Sequence, residues 1–201
     1  MLGLTGGIAG GKSTVSKRLA ELGAFIIDAD LVSREVIESP AVLGELRRAF
    51  GEGIVDEDGR LIRRALAAEA FRSQEGAELL NRIMHPAIMS EIKSRRAYAE
   101  ALGVYPLIVI DAALLIESGF HTECSGVWLI ACDEETRVKR AAERDGITLE
   151  EARQRVKRQM SDEQKALFAT RVIHNDGTVE ELMRKVDEAF AQEVGGIGQG
   201  V

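Results

Sequence analysis

Apolar positions fall along this chain in two alternating textures. Short, nearly unbroken apolar runs occur at 1–5 (MLGLT), 24–28 (AFIID), 107–111 (LIVID), 127–132 (VWLIAC) and 171–174 (RVIH). Runs of this length without polar alternation predict parallel strands covered on both faces. Between them the apolar spacing lengthens to three and four residues. In 12–22, Val15, Leu19 and Leu22 share one stripe, and in 178–193, Val179, Leu182, Met183, Val186 and Phe190 do the same. Both segments predict amphipathic helices. Strand and helix in repeated alternation predict an α/β protein on a doubly wound parallel sheet of five strands.

Two stretches interrupt that rhythm. Residues 31–105 carry mostly helical signals, with a turn expected at Asp58-Gly59 and a helix break at His85-Pro86. They predict a helical insertion between the second and third strands. Residues 134–168 are also helical, with Leu149, Ala152 and Val156 as the apolar stripe of a second helix. The closing residues are glycine-rich and predict a flexible tail. These readings divide the chain into a core of 1–30, 106–133 and 169–195, helical units at 31–105 and 134–168, and a tail at 196–201.

The stretch GGIAGGKS, from Gly6 to Ser13, fits the spacing G-x-x-x-x-G-K-[ST] between a strand and a helix. Glycine weakens regular structure, but here it has a use. Backbone N–H groups of Ala9, Gly10 and Gly11 can turn inward around a phosphate chain. The following helix adds its N-terminal dipole and the free N–H groups of Ser13 and Thr14. Lys12 is expected to reach the β- and γ-phosphates, and the Ser13 hydroxyl to bind Mg²⁺. The stretch therefore predicts a nucleoside triphosphate site, with ATP as the nucleotide.

The second strand ends in DADLVSR, 28–34. Ligands of open α/β sheets sit outside the carboxyl ends of the strands, so Asp28 and Asp30 are candidates for the acceptor side. A carboxylate there takes a hydroxyl proton or orients the hydroxyl for attack; as the alternative, aspartate before a helix is an ordinary cap. Asp111 closes the third strand, a place that suits Mg²⁺ held directly or through water, with a cap or turn residue as the alternative. Glu117 is a weaker candidate for orienting nearby groups, and His85 a structural residue or a substrate contact. Six arginines, Arg137, Arg140, Arg144, Arg153, Arg155 and Arg158, follow in 134–168. Glutamates interleave them, which fits a solvated face, yet phosphoryl transfer concentrates negative charge that a closing arginine-bearing flap neutralises.

Composition narrows the partners. A net charge of −7 argues against broad nucleic-acid binding, which wants a basic face. The longest apolar stretch, 107–116, is too short for a bilayer and contains an aspartate. Two cysteines form no disulfide framework and no metal spacing, so Cys132 reads as a small buried hydrophobe and a reducing cytoplasm as the expected location.

Taken together, GLTGGIAGGKST at 3–14, DADLVSR at 28–34, HP at 85–86, IDAALLIE at 110–117, RDGITLEEARQRVKRQ at 144–159 and VIHNDGT at 172–178 resemble the dephospho-CoA kinase family. The resemblance runs nearly end to end. It implies a P-loop kinase with a five-stranded parallel sheet, a helical acceptor-binding insertion and a helical lid, acting on the small molecules ATP and dephospho-CoA as a monomer or weak homo-oligomer. It implies Asp30 as the base on the ribose 3′-hydroxyl, Arg34 near the acceptor, Arg140 of the lid on the phosphates and Asn175 at the adenine end of ATP. Asp28, His85, Leu114 and Glu117 are carried over with the acceptor. Four positions depart from the family's usual pattern. Ala9 and Gly10 stand in the middle of the loop, where Ala9 needs a backbone conformation alanine tolerates. Ala113 replaces a usual proline, and His174 a usual aspartate.

Overall fold

The computed structural model describes residues 1–197. In chain order the elements are β1 (Leu2–Gly6), α1 (Lys12–Glu21), β2 (Phe25–Asp28), α2 (Ala29–Val36), α3 (Pro40–Phe50), α4 (Arg63–Ala70), α5 (Gln74–Leu102), β3 (Ile108–Asp111), β4 (Gly126–Ala131), α6 (Glu134–Asp145), α7 (Leu149–Lys157), α8 (Asp162–Ala166), β5 (Arg171–His174) and α9 (Val179–Ile197). All five predicted strands form, in one sheet of order β2-β3-β1-β4-β5. Every pairing in it is parallel. The chain segregates into two compact units, Met1–Asp28 with Ala99 onward, and Ala29–Tyr98.

The first unit carries the sheet. Every residue of β1 and β4 is buried, which explains their nearly unbroken apolar runs, with Thr5 the one polar side chain: strands covered on both faces have no polar side to display. Leu2, Leu4, Val109, Trp128 and Ile130 of the sheet pack with Val15 and Leu19 of α1 and Leu182 and Val186 of α9. The helical stripes are thus the ones the spacing predicts, short of their ends. Leu22 falls just past α1, as its cap. Val179 opens α9 and Leu149 opens α7, and both are exposed, at 58% and 55%. A first helical residue projects beyond the core that its helix covers. β1 neighbours β3 on one side and β4 on the other, so the strand order reverses there and leaves a crevice at its carboxyl end.

The second unit is helical. α2, α3 and α4 bury Val32, Val36, Val42, Leu46 and Leu66. The expected turn at Asp58-Gly59 forms, with Asp56 Oδ1 accepting from Asp58 N and Arg60 N at 3.0 and 2.8 Å. The helix break expected at His85-Pro86 does not: α5 runs through, with Pro86 inside it. A proline in a helix interior removes a hydrogen bond and costs about 3 kcal/mol. Here Arg82, whose carbonyl loses its donor, His85 and Pro86 are all exposed, while burial of Met84 and Ile92 holds the same helix in place. At the far end of the chain α9 extends through Ile197, so helix enters the stretch expected as a tail; its remaining residues, 198–201, lie outside the described residues.

Candidate active site

The glycine-rich loop leaves β1 and turns into α1. Gly10 N donates to Gly7 O at 3.0 Å, and Gly11 caps α1 at φ +95° with no side-chain cap bond. No side chain takes the amides of the first turn, as anion binding at a helix N-terminus requires, but the Thr14 N–H expected to be free donates to Gly11 O at 3.1 Å, and the Gly10 N–H expected to face phosphate is the one bonded to Gly7 O. Neighbours crowd the glycines. A Cβ at Gly7 would collide with the Arg137 guanidinium, and one at Gly11 with the Asn175 amide. Ala9 has φ +57°, alone among the described non-glycine residues in being positive. The conformation is thus one that alanine adopts only at a cost of about 1–2 kcal/mol, contrary to the expectation of a tolerated one. Strain of this kind concentrates at binding loops.

Lys12 points towards β3 and makes an ion pair with Asp111, their side chains being 17% and 8% exposed. It is less solvent-facing than a loop lysine suggests. Asp28 stands beside Asp111 in the β2–β3 register. Asp30 lies past the strand end, in the first turn of α2. Arg34 is exposed, and its carbonyl accepts from Arg63 Nη2 at 3.1 Å. Leu114 is 50% exposed in the loop after β3.

Asn175 is buried, and its Nδ2 donates to Gly10 O at 2.9 Å. A buried carboxamide tied to a loop carbonyl fixes the loop's course from the β5 side. Beside it opens a cleft of about 340 Å³ bordered by Ala9, Ser13, Thr14, Arg140, Arg144 and Asn175. Asn175→Ala is expected to raise the Michaelis constant for ATP roughly fivefold to tenfold, the worth of about one net hydrogen bond, with kcat little changed. An unaltered constant would show that the loop keeps its course without the clamp.

The arginines divide by environment. Arg137 is buried, 3.6 Å from Asp162 of α8, with Nε and Nη1 lacking hydrogen bonds among the described residues. Arg140 is half-buried and its Nη1 lies 3.5 Å from Cys132 Sγ; burial pushes that thiol up, against the opposing charge of Arg140. Arg144 pairs with Asp145, Arg155 with Asp145 and Arg153 with Glu135, while Arg158 is exposed. Arg153 and Arg155 thus lie in the solvated ion-pair face that their interleaved glutamates suggest. Arg144 first, then Arg155, holds the Asp145 carboxyl below the usual carboxylate range. A carboxyl depressed on folding contributes stability above its unfolded value of about 4 and loses it as pH falls below that. Melting temperature is therefore expected to fall below about pH 4.5, and less steeply in Asp145→Asn; equal slopes would remove this pair as a contributor.

Four contacts link the segment after α7 to the rest of the site. Ile8 N donates to Gln159 Oε1 at 2.8 Å, Met160 N donates to Glu117 Oε1 at 3.3 Å, and Lys165, fully buried, lies 3.0 Å from Glu117 Oε1 and donates to Ala113 O at 2.9 Å. Sequence reasoning singled out neither Gln159 nor Lys165. Lys165 sits in a polar run, SDEQKA, that reads as surface. Ile8 and Ala9 also pack on the small apolar cluster of Val138, Ala141, Ala152 and Val156, so α6 and α7 rest directly on the loop.

A parallel sheet with Lys12 and Ser13 behind a glycine-rich turn, at the carboxyl end of its central strand, defines a P-loop kinase fold. Solved structures agree: a Campylobacter jejuni dephospho-CoA kinase superposes with a TM-score of 0.63 at 23% identity over 96% of both chains, and a shikimate kinase from Acinetobacter baumannii with 0.54 at 20% identity over 96% and 93%. A Thermus thermophilus crystal structure matches more closely, with a TM-score of 0.77, 35% identity and coverage of 95% and 96%. The family model described as dephospho-CoA kinase matches residues 1–181. A dephospho-CoA kinase from Geobacter sulfurreducens is 44% identical over 193 residues, 96% of this chain and 98% of its own, and one from Leifsonia xyli is 42% identical with coverage of 95% and 97%. The chain belongs to the dephospho-CoA kinase family.

Proposed function

We propose that this chain transfers the γ-phosphoryl group of ATP to the ribose 3′-hydroxyl of dephospho-CoA, giving coenzyme A and ADP. The observation that carries the reading is family membership across 1–181 together with Lys12 and Asp111 paired at the mouth of the glycine-rich loop. In this account the loop amides and the start of α1 hold the β-phosphate, and Lys12 exchanges its carboxylate partner for phosphate oxygens when the nucleotide arrives. The nucleoside occupies the cleft beside Asn175. Arg140 lies over the phosphates and neutralises charge that builds up during transfer.

The residues also suit Mg²⁺. Ser13 and Asp111, with Asp28 adjacent, are hard oxygen donors, and no cluster of three metal-ligating side chains exists among the described residues. One or two carboxylates plus substrate phosphates is how proteins bind this ion. When bound it would offset the negative charge of the phosphates.

On the acceptor side, Asp30, Arg34 and His85 are assigned by the family resemblance, with Asp28 and Leu114 as further contacts. Glu117 is engaged by Lys165 and Met160 N, so its role in this reading is to hold the loop rather than to touch substrate. The three-part division into core, acceptor-binding unit and lid belongs to the same proposal, as do a cytoplasmic location and a monomeric or weakly associated state. Among the described residues no helix is long and apolar enough to cross a membrane.

Asp30→Asn keeps shape and loses charge. A loose transition state leaves the proton on the attacking hydroxyl until late. The expected fall in kcat is therefore in the lower part of the general-base range, about 10²-fold to 10³-fold, with ATP affinity retained. Loss of ATP binding in that variant would make Asp30 a nucleotide or metal residue instead. The reading as a whole is tested by ATP turnover without acceptor, with dephospho-CoA and with nucleoside monophosphates. Turnover is expected with dephospho-CoA only, and equal hydrolysis in all three would indicate a nucleotide switch.

A further inference from the structure

Gln159 takes no part in the reading above, yet it is bonded to the phosphate loop. Its Oε1 accepts from Ile8 N at 2.8 Å. Its amide nitrogen carries two donor hydrogens and donates to no protein atom among the described residues.

Sheet order says which end of a triphosphate this amide would meet. The nucleotide cleft borders Asn175, just after β5, whereas Lys12 pairs with Asp111 of β3, on the opposite side of β1. A triphosphate laid along the loop from Asn175 to Lys12 carries its terminal phosphate towards β3. Gln159 is held at that end. The next residue, Met160, donates its N–H to Glu117 Oε1 at 3.3 Å, and Glu117 belongs to the loop that follows β3. The same oxygen lies 3.0 Å from Lys165 Nζ, which also donates to Ala113 O at 2.9 Å. A fully buried cation held by a carboxylate and a carbonyl is a rigid anchor, because the cation cannot be left unpaired without a large penalty. Gln159 therefore spans from the anchored loop to Ile8, with its oxygen occupied and its donors unspent.

We propose that Gln159 reads the terminal phosphate. Its oxygen is fixed by the Ile8 N–H, and its amide nitrogen donates to a γ-phosphate oxygen of bound ATP, so that the segment after α7 engages the triphosphate and not the diphosphate product. The inference rests on the nucleotide reading given above. A Gln159 that only pins α7 to the loop would affect ATP and ADP alike, and this difference is what the test exploits.

The test is calorimetric titration of ATP and of ADP into the full-length protein, into Gln159→Glu and into Gln159→Leu, beside steady-state kinetics with dephospho-CoA. Glutamate keeps an acceptor for Ile8 N–H, loses the donor and adds negative charge. ATP affinity is expected to fall at least about tenfold in Gln159→Glu, the scale of a lost hydrogen bond to a charged group, with ADP affinity within about twofold; in Gln159→Leu, which also loses the acceptor for Ile8 N–H, ATP affinity is expected to fall severalfold more than ADP affinity. The kcat of Gln159→Glu should fall about tenfold with the Michaelis constant for dephospho-CoA unchanged. Equal weakening of both nucleotides, or of neither, overturns the inference and leaves the nucleotide site intact; if Gln159→Glu does not fold, the leucine variant decides the same comparison. Failure of the unaltered protein to bind either nucleotide would instead overturn the nucleotide reading, and this inference with it.

Discussion

Replacing Lys12 with methionine is expected to leave a folded protein with almost no kinase activity. Methionine matches the length of the lysine stem but cannot neutralise a phosphate. Only interactions that strengthen as the phosphoryl group transfers contribute to rate, and the lysine is a point charge set where that group must pass. The structure adds a second consequence. Lys12 is the ion-pair partner of Asp111, whose side chain is 8% exposed. Removing it leaves a nearly buried carboxylate without its cation, so a modest fall in melting temperature accompanies the loss of turnover. Asp111→Asn in the Lys12→Met background should recover that stability without recovering activity. Circular dichroism melts and a coupled kinase assay measure both. Activity near that of the unaltered protein would remove the phosphate-loop assignment.

Arg140→Ala is expected to lower kcat by about 10³-fold or more, the scale of effects at arginines that meet a transferring phosphoryl group. Arg140 is half-buried at the edge of the nucleotide cleft, and its observed neighbour is the sulfur of Cys132, a weak acceptor. A guanidinium with so poor a partner is available to a phosphate. Arg158, exposed just past α7, is the comparison, and Arg158→Ala should change kcat by less than about twofold, as surface substitutions commonly do. If the two variants show equal small effects, the arginines of α6 serve only as a charged face.

The frame of this molecule was legible because its signals are local. A strand buried at every position leaves little room for polar side chains, and β1 and β4 together carry only Thr5; a phosphate loop must have glycine where the backbone turns to a left-handed φ, and Gly11 at +95° is such a place. What could not be read depends on residues far apart in the chain. Lys165 lies in a run that looks like surface and is fully buried, because Glu117, 48 residues earlier, supplies its counter-charge. Arg137 and Arg140 look alike in the sequence, but one packs against Gly7 beside Asp162 and the other lines the cleft. Pro86 carries a strong breaker signal that tertiary burial along α5 overrides. Ala9 shows the reverse case: a residue that local preference disfavours at positive φ, held there by the loop around it.

The measurement that bears most directly on the central claim is the position of the phosphate in the product. The protein is incubated with ATP and dephospho-CoA, and the product is analysed by phosphorus NMR and tandem mass spectrometry. The account predicts one new phosphomonoester on the ribose 3′-oxygen, formed in equal amount to ADP. Phosphate on another hydroxyl, or ADP formed with dephospho-CoA unchanged, would contradict it.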